Sequence, residues 1–209
     1  MHTEMIFILD RSGSMAGLEK DTIGGFNSML QKQKKIEGSV TVTTILFDNN
    51  IEYLHDRLNL EDISPITEKQ YFVRGATALL DAIGKAIEKM TDVQKGKKST
   101  QKENVVVIIT TDGEENSSVL YSLPQIKKLI SRQKELGWEF IFLGANIDAI
   151  QTAQNLGLSK QDAVDYIADA KGTQVSFSAI SEAVHEVRTK GRKNEIRKAA
   201  VEKDFKLRS

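Results

Sequence analysis

Cysteine is absent from the chain, so no disulfide and no thiolate-bound metal contributes to it. A cysteine-free chain fits a reducing compartment, and a cytoplasmic location is expected. Excess charge of one sign is also missing: 29 Lys and Arg balance 29 Asp and Glu. That parity argues against a protein whose main work is to hold nucleic acid phosphates. No apolar run approaches membrane-spanning length, so no membrane partner is expected. The first expected strand begins so near Met1 that a signal peptide is not expected either. Histidine is scarce, and His2, His55 and His185 fall on separate expected elements without an obvious cluster. Repeats and low-complexity tracts are lacking. What remains is a chain of 209 residues, 40% apolar and 28% charged, long enough for one sizeable domain with its own core.

The most informative stretch is Glu4-Met-Ile-Phe-Ile-Leu-Asp-Arg-Ser-Gly-Ser14-Met. Met5 to Leu9 is short, apolar and bounded, as a strand buried on both faces should be. Then the character changes at one residue. Asp10, Ser12 and Ser14 place a carboxylate and two hydroxyls at alternate positions just past the strand, and Gly13 lets the chain turn between them. Oxygen-bearing side chains on one tight loop suggest a hard-cation site, because Mg²⁺ takes oxygen ligands in a compact octahedron.

Later segments alternate between helix and strand. Leu18 to Lys35 carries Ile23, Phe26, Met29 and Leu30 at helical spacing, with Gly24 and Gly25 suggesting a close approach to the sheet. Ser39 to Phe47 is a β-branched strand, and Ile51 to Leu58 is its hairpin partner across Asp48-Asn49-Asn50. So short a link requires an antiparallel pair. Residues 59–74 are irregular. Thr77 stands where a helix begins, with Leu80, Ile83, Ile87 and Met90 on one face. A basic loop, 94–103, precedes a second continuous apolar strand, Asn104 to Thr111, which also ends in an acid, Asp112. A helix runs from near Pro124 to Leu136, and a strand from Trp138 to Leu143. Asn146 is expected to cap a short helix ending at Gly157, with Asp148 as a favourable charge in its first turn. A weak strand, Ala163 to Ile167, and a helix from Thr173 to Lys190 between Gly172 and Gly191 follow. The pattern is that of an α/β fold with a mostly parallel sheet. Ligands of such sheets bind beyond the carboxyl ends of strands, where Asp10 and Asp112 both lie. Both carboxylates are expected to face solvent there.

Taken singly, Asp10-x-Ser12-x-Ser14 reads as a turn, Thr77 as a helix cap and Asp112-Gly113 as another turn. Taken together, Asp10-x-Ser12-x-Ser14, Thr77 in Gly-Ala-Thr-Ala-Leu and Asp112 in Thr-Asp-Gly resemble the von Willebrand factor A domain and its metal-ion-dependent adhesion site. The resemblance covers residues 1–190, leaving 191–209 as a basic, loosely amphipathic tail that could be helical. It implies a Rossmann-like, open six-stranded sheet in the order 3-2-1-4-5-6, strand 3 antiparallel, with helices on both faces. It implies Mg²⁺, with Mn²⁺ or Ca²⁺ as substitutes. Ser12 and Ser14 would bind directly, Thr77 directly or through water, and Asp10 and Asp112 through water. A partner protein's Asp or Glu carboxylate would complete the coordination. The resemblance further implies an adaptor within a larger assembly, in some relatives beside a ring-forming ATPase. The alternative is a scaffold whose metal only stabilises it.

Two enzyme readings are weaker. Gly13-Ser14-Met15-Ala16 resembles a subtilisin-type nucleophile turn, but no histidine sits in a catalytic motif. Phosphoryl transfer through Asp10 needs a second acid two residues on, where Ser12 stands. A binding module, not an enzyme, is therefore expected. Glu114 and Glu115, the basic loop and the basic tail read as solvated charge. Tyr71 and Phe72 read either as core anchors or as partner surface.

Overall fold

The apolar run at the start of the chain is the central strand in a computed structural model that describes residues 2–95, 103–145, 148–192 and 199–208. In β1 (Thr3–Asp10) every residue is buried. Its parallel neighbours are β2 (Val40–Phe47) on one edge and β4 (Asn104–Thr111) on the other. A strand enclosed in this way has no face for polar residues, which explains the unbroken apolar runs in β1 and β4. The antiparallel β3 (Ile51–Asn59) returns from β2 through the three-residue turn. Parallel β5 (Glu139–Ala145) and β6 (Ala163–Tyr166) complete the order β3-β2-β1-β4-β5-β6. Fold class, strand order and the single antiparallel strand are as expected.

Successive strand side chains point to opposite faces, and each face has its own core. Met5, Phe7 and Leu9 meet α1 (Glu19–Lys34), α5 (Ala170–Lys190) and α6 (Ala199–Arg208). Ile6 and Ile8 meet α2 (Leu79–Gln94), α3 (Leu123–Glu135) and α4 (Ala149–Asn155). Three-layer packing thus fixes both faces of β1 and leaves its carboxyl end as the place where loops gather.

Several local expectations change. Gly25 does mark a close approach, but to α5 rather than the sheet: a Cβ there would stand 2.2 Å from the Phe177 ring. The α5 helix begins earlier than expected, capped by Asp169, whose carboxylate accepts the Gly172 N–H at 2.7 Å. Gly172 is therefore inside the first turn, while Gly191, at φ 75°, ends the helix as expected. The α4 cap is Asp148, accepting from Gln151 N at 2.8 Å. Asn146 lies outside the described residues, as do 96–102 of the basic loop. Part of the basic tail is not solvated surface: α6 buries Val201, and its Asp204 pairs with Lys171 at 2.7 Å and with Arg208, which also reaches Asp169.

Candidate metal centre

Register brings the acidic strand ends together. Leu9 aligns with Thr110 across β1 and β4, so Asp10 and Asp112 occupy the same end of neighbouring strands. Strand order reverses here, with the chain passing from β1 to β2 on one side and entering β4 on the other. Such a point opens a crevice between the loops.

Asp10 lies at the floor, fully buried. Its Oδ1 accepts the Ser12 N–H at 2.7 Å and its Oδ2 accepts the Thr111 hydroxyl at 2.5 Å. Its carbonyl accepts the phenol of Tyr71. Asp112 is 4% exposed. The expectation that both carboxylates face solvent is therefore wrong: Asp10 is the last residue of β1, still in register with Phe47 of β2, and the following loops close over it. Burial pushes the Asp10 carboxyl up to about 6, against the hydrogen bonds from Thr111 and Ser12, and the neighbouring Asp112 raises it further.

Above the acids stand three hydroxyls. Ser12 Oγ lies 3.0 Å from Ser14 Oγ, and Thr77 Oγ1 donates to Ser12 Oγ at 3.0 Å. Ser12 and Thr77 are buried and Ser14 is exposed, so the group runs from the floor to the surface. Gly113 makes this possible. A Cβ there would stand 2.8 Å from Ser14 Oγ, 2.9 Å from Thr77 Oγ1 and 3.7 Å from Ser12 Oγ. A side chain at 113 would occupy the space that the hydroxyls share. All five expected residues thus converge, and their donor set suits a hard cation: neutral hydroxyls beside two acids whose crowding a positive charge relieves.

Thr77 is placed from both sides, though not as a helix cap, since α2 begins at Leu79. Its N–H donates to Asn116 Oδ1 at 2.9 Å, and its carbonyl accepts Asn116 N at 3.1 Å. The capping role falls to Glu115, which was expected to be solvated. Its carboxylate accepts from Leu80 N at 2.8 Å in the first turn of α2, and from Ser117 N and Ser118 N at 2.9 and 2.7 Å. Glu114 is exposed, as expected. Asp81 orders the next segment by accepting from Val119, Leu120 and Tyr121 N–H at 2.9–3.0 Å.

The two aromatic residues divide. Tyr71 is a core anchor, whereas Phe72 is 43% exposed, with the guanidinium groups of Arg11 and Arg74 5.6 and 5.4 Å from its ring centroid. Arg11 and Asp48 are site neighbours that sequence reasoning missed, and neither carried a local signal. Thr111 and Gly113 stand in the Thr-Asp-Gly motif but were given no role of their own. His2 does meet acids, with Glu4 at 3.5 Å and Glu103 at 4.0 Å, but at the amino end of β1, away from the crevice. His2 bonds with Ser39 and Thr41, and His55 with Thr44; neither engages Ser14.

The fold has many solved counterparts at low identity. A mutant of the PilB minor pilin from Streptococcus sanguinis superposes with TM-score 0.64 at 14% identity, over 89% of this chain and 62% of that one. The chain therefore spans less than two thirds of that protein. The vWF domain of the type V pili tip protein Mfa5 from Porphyromonas gingivalis gives 0.62 at 10%, over 92% and 98%. Proximal thread matrix protein 1 from the mussel byssus, with a zinc-occupied MIDAS motif, gives 0.57 at 15%, over 89% and 45%. No curated protein sequence matches the chain. Among the described residues no helix is long and apolar enough to cross a membrane. The family model of the von Willebrand factor type A domain matches residues 4–183, most of the length over which this sheet, these helices and these loops are built, and the chain belongs to that family.

Proposed function

We propose that this chain is a protein-interaction module that holds Mg²⁺ at Asp10, Ser12, Ser14, Thr77 and Asp112 and binds a partner through that ion. Domains of this family generally mediate protein–protein interaction, some of them with a metal. The observation that carries the reading is the meeting of hydroxyls from two loops, 65 residues apart in sequence, above two buried carboxylates. Ser12, Ser14 and Thr77 would hold the ion directly, with Asp10 and Asp112 acting through water. The bound ion supplies positive charge at the surface, for which a partner's Asp or Glu carboxylate is the strongest complement. Ser14, the exposed member of the group, marks where that carboxylate enters. The ion's role here is binding rather than catalysis.

Calorimetry with Mn²⁺ tests the metal. One site of modest affinity is expected in the wild type and none in the Ser12→Ala/Ser14→Ala double variant; equal binding by both sinks the reading. Capture from source lysate in Mg²⁺ against EDTA, with Asp10→Ala as control, tests the partner. A metal that raises the melting temperature while capture is indifferent to EDTA supports a stabilised scaffold instead. The reading also places the chain in the cytoplasm, within an assembly linked to a ring-forming ATPase. Cell fractionation and the identity of the captured proteins test both points, a cell-surface location being the outcome that overturns the first.

A further inference from the structure

We propose that Asp48, which offers no oxygen to the candidate metal centre, is the positioning residue that sets its affinity by clamping the Ser12–Ser14 turn and the Gly75–Thr77 loop to the end of β2. The proposal rests on the metal-site reading above and extends it to a residue outside the expected ligand set.

Asp48 follows the last residue of β2 and is fully buried. Its Oδ2 accepts from Arg11 Nε at 2.9 Å and from Arg74 Nε at 2.7 Å. Arg11 immediately precedes Ser12, and Arg74 immediately precedes Gly75. The Asp48 carbonyl accepts the Ala78 N–H at 3.0 Å, one residue past Thr77. One residue therefore grips the chain just before the serine turn and on both sides of the Gly75–Thr77 segment. Its Oδ1 accepts the Asn50 N–H at 2.7 Å, which fixes the carboxylate itself. The two clamped loops are also joined directly, by Arg74 N to Arg11 O at 2.8 Å and Gly13 N to Gly75 O at 3.0 Å.

Charge makes the clamp obligatory. The Arg11 side chain is fully buried, and a buried guanidinium needs a carboxylate partner. Asp48 supplies one at depth, and the half-exposed Glu52 supplies a second at 2.8 Å from Nη2. Burial alone would raise the Asp48 carboxyl, but the bonds from Arg74 and Asn50 and the Arg11 charge outweigh it and hold the group below its ordinary value. Asp48 is thus a standing anion. Its lone pairs are committed to the loops, and its charge is spent on arginines rather than on the ion. Ser12 and Thr77 come from different loops and stand 3.0 Å apart only if those loops keep their mutual register. The clamp is what holds that register.

The test combines Mn²⁺ calorimetry with amide hydrogen exchange in EDTA on wild type, Asp48→Asn, Arg74→Gln and the double variant. Asp48→Asn keeps the side chain's shape and removes its charge. Arg74→Gln changes a side chain that is 46% exposed, so it preserves folding if the first variant does not. Expected for Asp48→Asn is a loss of Mn²⁺ affinity of about tenfold or more, the size seen when groups that orient ligands are removed. Faster exchange at Gly13, Arg74 and Ala78, with β1 and β4 unchanged, should accompany it. Arg74→Gln should lose less, and the double variant no more than Asp48→Asn, because the two act through one contact. Wild-type binding with Asp48→Asn within twofold of it overturns the clamp while leaving the metal reading intact. So does additive loss in the double variant. Absence of Mn²⁺ binding in the wild type overturns both.

Discussion

Two aspartates stand side by side at the ends of neighbouring parallel strands, and they are opposite in kind. Asp10 aligns with Phe47, the residue before Asp48, and both aspartates are fully buried. Asp48 faces two guanidinium groups, and its carboxyl is held below the ordinary value. Asp10 faces Asp112, two hydroxyls and a backbone N–H, and its carboxyl is pushed up to about 6. Residue type, solvent exposure and position are alike; burial raises both carboxyls, more strongly for Asp10, and only Asp48 has guanidinium groups to offset it. One carboxylate has its cations within the chain. The other sits in a pocket whose hydrogen bonds are built for an anion, and among the described residues no positive group shifts its carboxyl. The metal reading proposes that a site of the second kind is completed from outside, and so it attaches to Asp10 and the clamp to Asp48.

The largest expected effect breaks the self-contained member. Asp48→Ala leaves Arg11 buried with the half-exposed Glu52 as its one remaining carboxylate among the described residues. Breaking a buried pair from one side costs about 3 kcal/mol or more. Denaturant unfolding in EDTA should show that loss at neutral pH. A change below about 1 kcal/mol, the scale of a surface pair, would mean that the two aspartates do not differ as described.

The next effect has the opposite sign. In Asp10→Asn the Oδ1 still accepts from Ser12 N, and the new amide can donate to the Thr111 hydroxyl, so the hydrogen bonds survive while the charge goes. For the wild type, a folded-state pKa of about 6 lies above the unfolded value of 3.8. Folding therefore favours the protonated form. The penalty for the buried carboxylate is absent below the unfolded value, grows as pH rises from about 4 to 6, and is constant above that. Asparagine escapes it, so in EDTA near pH 8 the variant should be more stable by about 2 kcal/mol, the full linkage of about 3 kcal/mol less about 1 kcal/mol for hydrogen bonds that are no longer charge-assisted. The gap should close below pH 4. Mg²⁺ should stabilise only the wild type. Equal melting temperatures at pH 8, or a gap that widens in acid, would count against the burial cost.

These two residues also mark how far the sequence could be read. Met5–Leu9 and Val105–Ile109 declare themselves because strands enclosed on both faces must be apolar throughout, and the alternation of strand with helix gives the parallel sheet. Strand order came from the resemblance of Asp10, Ser12, Ser14, Thr77 and Asp112 to a known constellation, since no local pattern encodes which strand lies beside which. Arg11 was invisible: between an acid and a serine it reads as a spacer, and its partner Asp48 lies 37 residues away inside what looks like a turn. Burial of charge depends on tertiary pairing, so sequence alone assigns charged residues to solvent. The same default misplaced Glu115, which caps a helix 35 residues earlier, and the basic tail, part of which packs as α6.

Glu115 sharpens the comparison as a third carboxylate, satisfied neither by arginine nor from outside but by backbone N–H groups and one hydroxyl. Its two oxygens accept from Leu80 N, Ser117 N, Ser118 N and the Ser118 hydroxyl, at 2.7–2.9 Å. Glu115→Gln retains one accepting oxygen and turns the other into an amide that meets donors with a donor. The loss should resemble that of a helix cap with its favourable charge, about 1 kcal/mol. It should fall on the segment after Asp112 rather than on the clamp. Thr77 keeps both of its backbone bonds to Asn116 in this variant, so the hydroxyl group stays assembled. Mn²⁺ affinity should therefore fall by less than in Asp48→Asn, within about twofold of wild type on the scale of a few tenths of a kcal/mol of coupling. Calorimetry and melting of the two variants side by side decide the order. A larger affinity loss in Glu115→Gln would move the control of the hydroxyl cluster from the β2 side of the crevice to the β4 side.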